Sequence, residues 1–138
     1  MGEPRDKDAR LFYRAAKQRL ADAVFLLGAE RTTAATYLGG YCVECVLKAL
    51  LLSRCPRGKK EDILNSFRGA GGHDFDRLRY VLSTYDQAPF PRPVVEAFVI
   101  ARVWATDLRY EVGSRPGDDT EEFLAAVETI FGWADGRL

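Results

Sequence analysis

The fold is decided by Thr33–Ser53, TAATYLGGYCVECVLKALLLS. This stretch contains no proline, and from Tyr41 onward its apolar side chains cover nearly the whole helical wheel instead of one stripe. A helix of that kind is contacted on several sides, so the segment is expected to be the central helix of the domain. Thr32 or Thr33 is suited to cap it. Gly39 and Gly40 each cost about 1 kcal/mol relative to alanine inside a helix, and close approach of a neighbouring backbone is the expected compensation. Glu44 and Lys48, spaced i, i+4, are the only charges between Tyr41 and Leu52. Either would be costly there alone, so they read as a structural ion pair or as part of a polar groove.

Working outward, Asp6–Ala29 carries Phe12, Ala16, Leu20, Ala23 and Leu27 in steps of three and four, the stripe of an amphipathic first helix. From Arg54 to Gly72 the pattern lapses for longer than a bare loop allows in so small a domain. Lys60–Phe67 is expected as a short helix, and Arg68-Gly69-Ala70-Gly71-Gly72 as a hinge or disordered tip. A third helix, Phe75–Tyr85, has Phe75, Leu78, Leu82 and Tyr85 on one stripe and His73 or Asp74 near its cap. A fourth is expected from Pro93 to about Glu111, burying Val94, Phe98, Ala101, Ala105 and Leu108. After the break at Gly113–Gly117, acids at Asp118, Asp119, Glu121 and Glu122 favour the start of a fifth helix, with Phe123, Val127, Ile130 and Ala134 as its apolar stripe. No segment alternates with period two. The expected class is all-α: an up-and-down four-helix bundle with an additional C-terminal helix and a short helix or loop between helices two and three.

A length of 138 residues fits one domain. Lys plus Arg number 20 and Asp plus Glu 20, so no global field attracts nucleic acid or anionic lipid, and any such contact must be a local patch. The run Arg54, Arg57, Lys59 and Lys60 is one such patch, weakened by Glu61 and Asp62 immediately after it. The apolar run Tyr41–Leu52 falls short of the ~20 residues that span a bilayer, so no membrane partner is expected. The charged start Met1-Gly2-Glu3-Pro4-Arg5-Asp6 has no apolar signal core, which makes a cytoplasmic location the simplest expectation. Three cysteines, with Cys42 and Cys45 one helical turn apart, read as core side chains and not as a redox or zinc half-site. No cofactor or metal is implied.

In an up-and-down bundle, the ends of helices two and four share one end of the molecule with the starts of helices three and five. That expectation gathers Glu44, Lys48, His73, Asp74, Asp107, Arg109, Tyr110 and Glu111 in one neighbourhood. Arg102, Thr106 and Arg109 form a line along the fourth helix, suited to phosphate or to pairing with Asp107 and Glu111. His73, the only histidine, is the one side chain whose ordinary titration lies near neutrality, and it reads as a helix cap or a catalyst. Trp104 and Trp133 read as core or interface anchors.

Four separated segments carry a resemblance: Ala35–Leu50, Gly72-His73-Asp74-Phe75-Asp76-Arg77-Leu78, Trp104 to Arg109-Tyr110, and Phe123–Trp133. Together they are similar to the HEPN domain family over about residues 8–136, taken as a single domain. The resemblance implies a helical bundle that commonly dimerises, occurs with minimal nucleotidyltransferases, and serves toxin–antitoxin or defence systems. Many relatives are metal-independent ribonucleases using an arginine followed, after four to six residues, by a histidine. Arg109 matches the arginine, but Ser114, Arg115 and Pro116 stand where the histidine should fall. The leading expectation is therefore a homodimeric nucleotide- or RNA-binding or nucleotidyltransferase-partner module, with Glu44, Lys48, Arg102, Asp107 and Tyr110 as ligand-binding residues. An endoribonuclease using Arg109 with His73 and a purely structural dimerisation module are the alternatives.

Overall fold

The first helix, α1 (Lys7–Gly28), starts where Asp6 accepts the Ala9 backbone N–H at 2.8 Å. It ends in a turn that puts Glu30 at φ 62°, with the N–H of Arg31 reaching back to the Leu26 carbonyl. The reversal leads into α2 (Thr32–Arg54). A 3-10 turn (Arg57–Lys59), α3 (Lys60–Ser66) and a second 3-10 turn (Ala70–His73) follow. Then come α4 (Phe75–Tyr85), α5 (Arg92–Ala101) and α6 (Gly117–Asp135). The computed structural model describes residues 3–104, 108 and 110–138. Among them every regular element is helical, as the periodicity predicts.

α2 is the central helix. α1 lies along it through the small buried residues Ala9, Ala16 and Ala23, while α4 and α6 cover its other sides. By length and composition α2 could cross a membrane, which the shorter run Tyr41–Leu52 does not suggest. Most of its apolar window is buried inside the domain instead. The expected stripes of α4 and α6 are in place, with Leu78, Leu82, Phe123, Val127, Ile130 and Ala134 all buried.

The order of strokes differs from the expected bundle. Glu44 meets His73 just before α4, and Arg54 meets Asp86 just after it, so α2 and α4 run parallel. The return stroke belongs to α3, whose start pairs Lys60 with Asp6 and whose end sets Phe67 on Phe12. The polar group around His73 therefore lies halfway up the flank of α2 and not at a bundle end. α6 also runs parallel to α2: Thr32 is bonded to Arg115 at one end, and Arg54 to Arg137 at the other.

Four local expectations also change. Residues 70–73 form a turn instead of a loose tip, because buried Gly72 sits against the Phe67 carbonyl where a Cβ would clash. Thr32 does not cap α2; its hydroxyl clamps Arg115, donating to the carbonyl and accepting the N–H, both at 2.8 Å. The close approach at the glycine pair is made by side chains, not backbone. A Cβ on Gly39 would lie 2.6 Å from Leu124 Cδ2, and one on Gly40 would fall inside the Trp104 indole. Lastly, α5 stops at Ala101, not near Glu111. The chain turns there so that Trp104 covers Gly40, stacks on Phe75 at 5.1 Å and donates Nε1–H to the Tyr37 carbonyl at 2.9 Å. Burial of the largest apolar side chain overrides the helical period.

Candidate functional site

Glu44 and Lys48 are one turn apart on the side of α2 that α1 and α3 cover, and they are only 4% and 5% exposed. Lys48 Nζ lies 2.9 Å from Glu44 Oε2. Its ammonium also sits over two rings, 5.6 Å from the centre of Phe12 and 5.0 Å from that of Phe67. Such faces attract a desolvated cation, so Lys48 is boxed by one carboxylate and two aromatic rings. The other oxygen of Glu44 is 2.6 Å from His73 Nδ1.

This chain of contacts determines what His73 can offer. With the ammonium on Oε2, the carboxylate presents Oε1 as an acceptor, and the hydrogen of the bond resides on Nδ1. Nε2 is then left as the ring nitrogen available to a ligand. The side chain of His73 is 39% exposed and lines a cavity of about 290 Å³ with Ala70, Asp74, Phe75, Asp76, Arg102 and Trp104. The Tyr41 ring stands nearly perpendicular to the imidazole, with 6.3 Å between ring centres. Asp74 is occupied as the cap of α4, accepting the N–H groups of Asp76 and Arg77 at 3.0 and 3.2 Å. Arg102, just beyond α5, faces Asp76 across the cavity mouth at 3.5 Å.

The expected set is thus brought together in part. Glu44, Lys48 and His73 form one network, and Arg102 shares the cavity with His73. Tyr110 is exposed and does not line that cavity. Asp107 and Arg109 lie outside the described residues, as does Thr106 of the expected arginine line. Of that line only Arg102 is described, and it lies just past the end of α5 at Ala101. Where the family pattern would put a histidine, Arg115 pairs with Glu111 at 2.7 Å. The sequence alone does not mark Phe12, Phe67 or Asp76 as site residues; Phe12 and Phe67 follow ordinary apolar spacing, and nothing in it shows that they meet Lys48.

Cys42 and Cys45 are core side chains, as expected. Burial pushes both thiols up, Cys45 to about 11 with the nearby Glu44 charge adding to the effect. Thiols so held are poor nucleophiles and poor metal ligands.

The fold and this network define a small helical domain with a histidine presented to a polar cavity. Residues 9–137 match the HEPN domain, nearly the whole chain, and the protein belongs to that family. Membership places it among nucleotide- or RNA-related modules in general. No curated protein and no solved structure matches the chain.

Proposed function

We propose that this HEPN domain binds a nucleotide or RNA in the cavity lined by His73 and Arg102, as a homodimeric module that works beside a minimal nucleotidyltransferase in a toxin–antitoxin or defence system. The observation that carries the reading is the 2.6 Å contact between His73 and a carboxylate that is almost wholly buried. A merely capping histidine needs no such partner. A carboxylate behind Nδ1 orients the ring and leaves Nε2 to receive a hydroxyl or amino hydrogen of the ligand. Arg102 supplies the cation at the rim. The exposed apolar residues Val99 and Val103, with Tyr80 on α4, support a surface for a second copy.

The same dyad favours a second reading, a metal-independent endoribonuclease. His73 Nε2 would take the proton of a ribose 2′-hydroxyl, whose oxygen attacks the adjacent phosphorus and expels the 5′-oxygen of the next nucleotide, which takes a proton from solvent and leaves as the 5′-hydroxyl. Arg109 is the residue assigned to the charge that develops on the phosphate.

Because His73 is the only histidine, its ring signals in a nitrogen-correlated NMR spectrum report this cavity alone. Added ribonucleosides and a short unstructured RNA are expected to shift them, and His73→Ala and Arg102→Ala to weaken both ligands. Ring signals that stay put with every nucleoside and RNA would refute the binding reading. For the enzyme reading, RNA incubated in EDTA should be cut by the wild type and left whole by His73→Ala and by Arg109→Ala.

A further inference from the structure

We infer a second ligand site, at the far end of the helices from the His73 cavity, for a phosphate-bearing polyanion. In sequence, the run Arg54, Arg57, Lys59 and Lys60 is weakened by the acids that follow. The fold changes its composition. A cavity of about 880 Å³ opens between the start of α1, the end of α2, the start of α3 and the segment after α6. Its wall joins Arg54, Arg57 and Lys60 of that run to Arg5 and Lys7 from the start of the chain and to Arg137 after α6, and Glu61 and Asp62 are not part of it.

The acids that are nearby are already committed. Asp6, the one acidic side chain in the wall, accepts the Ala9 N–H and pairs with Lys60 at 2.6 Å, and Asp8 takes the same ammonium at 2.8 Å. Asp86 is shared by Arg54 and Arg137. Arg5, Lys7 and Arg57 have no acidic partner among the described residues. In a chain whose charges balance overall, three uncompensated cations in one concavity repel one another, and an anion relieves that repulsion. Four of the six are arginines, whose planar forks match the paired oxygens of a phosphate. Glu44 and Arg54 are ten residues apart on α2, about 15 Å along its axis, so this site and the His73 cavity are separate.

The test is an amide NMR titration of the whole chain with inorganic tripolyphosphate and, separately, with a short unstructured RNA, alongside Arg5→Ala/Arg57→Ala. Both arginines are exposed and unpaired, so the variant keeps its fold. Signals near Lys7 and Arg57 are expected to move with at least one probe, and the variant to bind that probe roughly tenfold more weakly. With RNA, the salt dependence of binding should flatten by about two phosphate contacts. A response to tripolyphosphate alone marks a free polyphosphate as the source, and a response to RNA alone marks a phosphodiester chain. The site is overturned if neither probe moves these signals, if the variant binds as well as the wild type, or if polyglutamate binds as tightly as the phosphates. The ring signals of His73 should stay fixed with tripolyphosphate, which keeps this outcome distinct from that of the nucleotide-binding reading.

Discussion

Two carboxylates tie α4 to α2, one at each end of α4, and each is shared by two basic side chains. Glu44 holds Lys48 and His73; Asp86 holds Arg54 and Arg137. Glu44 gives one oxygen to each partner, whereas both arginines meet Asp86 at Oδ2, and the surroundings differ as well. The side chains of Glu44 and Lys48 are about 5% exposed, whereas those of Arg54 and Arg137 are 36% and 29% exposed. Near water, an ion pair adds little and is screened by salt. In the interior, the charges have lost their hydration, and apolar side chains of similar volume would hold the helices as well or better. Stability alone therefore gives no reason for charges at the Glu44 clamp, where apolar side chains would serve. What apolar replacements could not do at Glu44 is fix the imidazole of His73.

Removing one partner from the buried clamp should have the largest effect. Glu44→Ala leaves the Lys48 ammonium between Phe12 and Phe67 with no anion, and the unfolding free energy in urea is expected to fall by about 3–5 kcal/mol. Replacing both members, Glu44→Leu with Lys48→Met, should recover most of that loss, because no buried charge is left behind. The two experiments separate stability from function. In the wild type, His73 should carry its hydrogen on Nδ1, read directly from the ring nitrogen shifts. In the stable double variant that preference should disappear, and nucleoside binding should weaken with it. A double variant that keeps the Nδ1–H form would break the comparison, since Glu44 would then not be what sets the ring.

The two clamps also differ in how much of them is legible in the sequence. Glu44 and Lys48 announce each other because a spacing of four is local to one helix, and two charges in an apolar run demand an explanation. His73 lies 29 residues further on, and its arrival at Glu44 depends on α3 taking the return stroke. Treating residues 54–72 as a connector puts His73 near the right residues for the wrong topological reason. The end of α5 was illegible for a similar cause. Nothing near Ala101 stops a helix; the stop comes from Trp104 finding Gly40 and the Tyr37 carbonyl, more than sixty residues upstream. The Asp74 cap and the stripe Phe123–Ala134 depend on neighbours in sequence and are correctly anticipated, whereas the distant Arg115 takes Thr32 away from capping α2. The convergence of Arg5, Arg57 and Arg137 has no local signature at all.

The exposed clamp gives the smaller effect and a distinct pH signature. The Arg137 guanidinium bonded to Asp86 is the main cause holding its carboxyl below the ordinary value of 3.8, with the Ala88 N–H and Arg54 adding to it. A group depressed in the folded state stabilises fully above its unfolded value and loses that contribution as pH falls through the folded one. Asp86→Asn is therefore expected to cost at most about 1 kcal/mol at neutral pH, and less in high salt. Below about pH 4, where the wild type surrenders the same contribution by protonation, the two stability curves should converge. Urea titrations at a series of acidic pH values measure this directly. Curves that stay parallel through that range would mean that Asp86 is no clamp, and that the packing of Leu82 and its neighbours alone fastens the end of α4. Convergence with a loss as large as that of Glu44→Ala would mean instead that the two clamps share one environment, and that burial does not distinguish them.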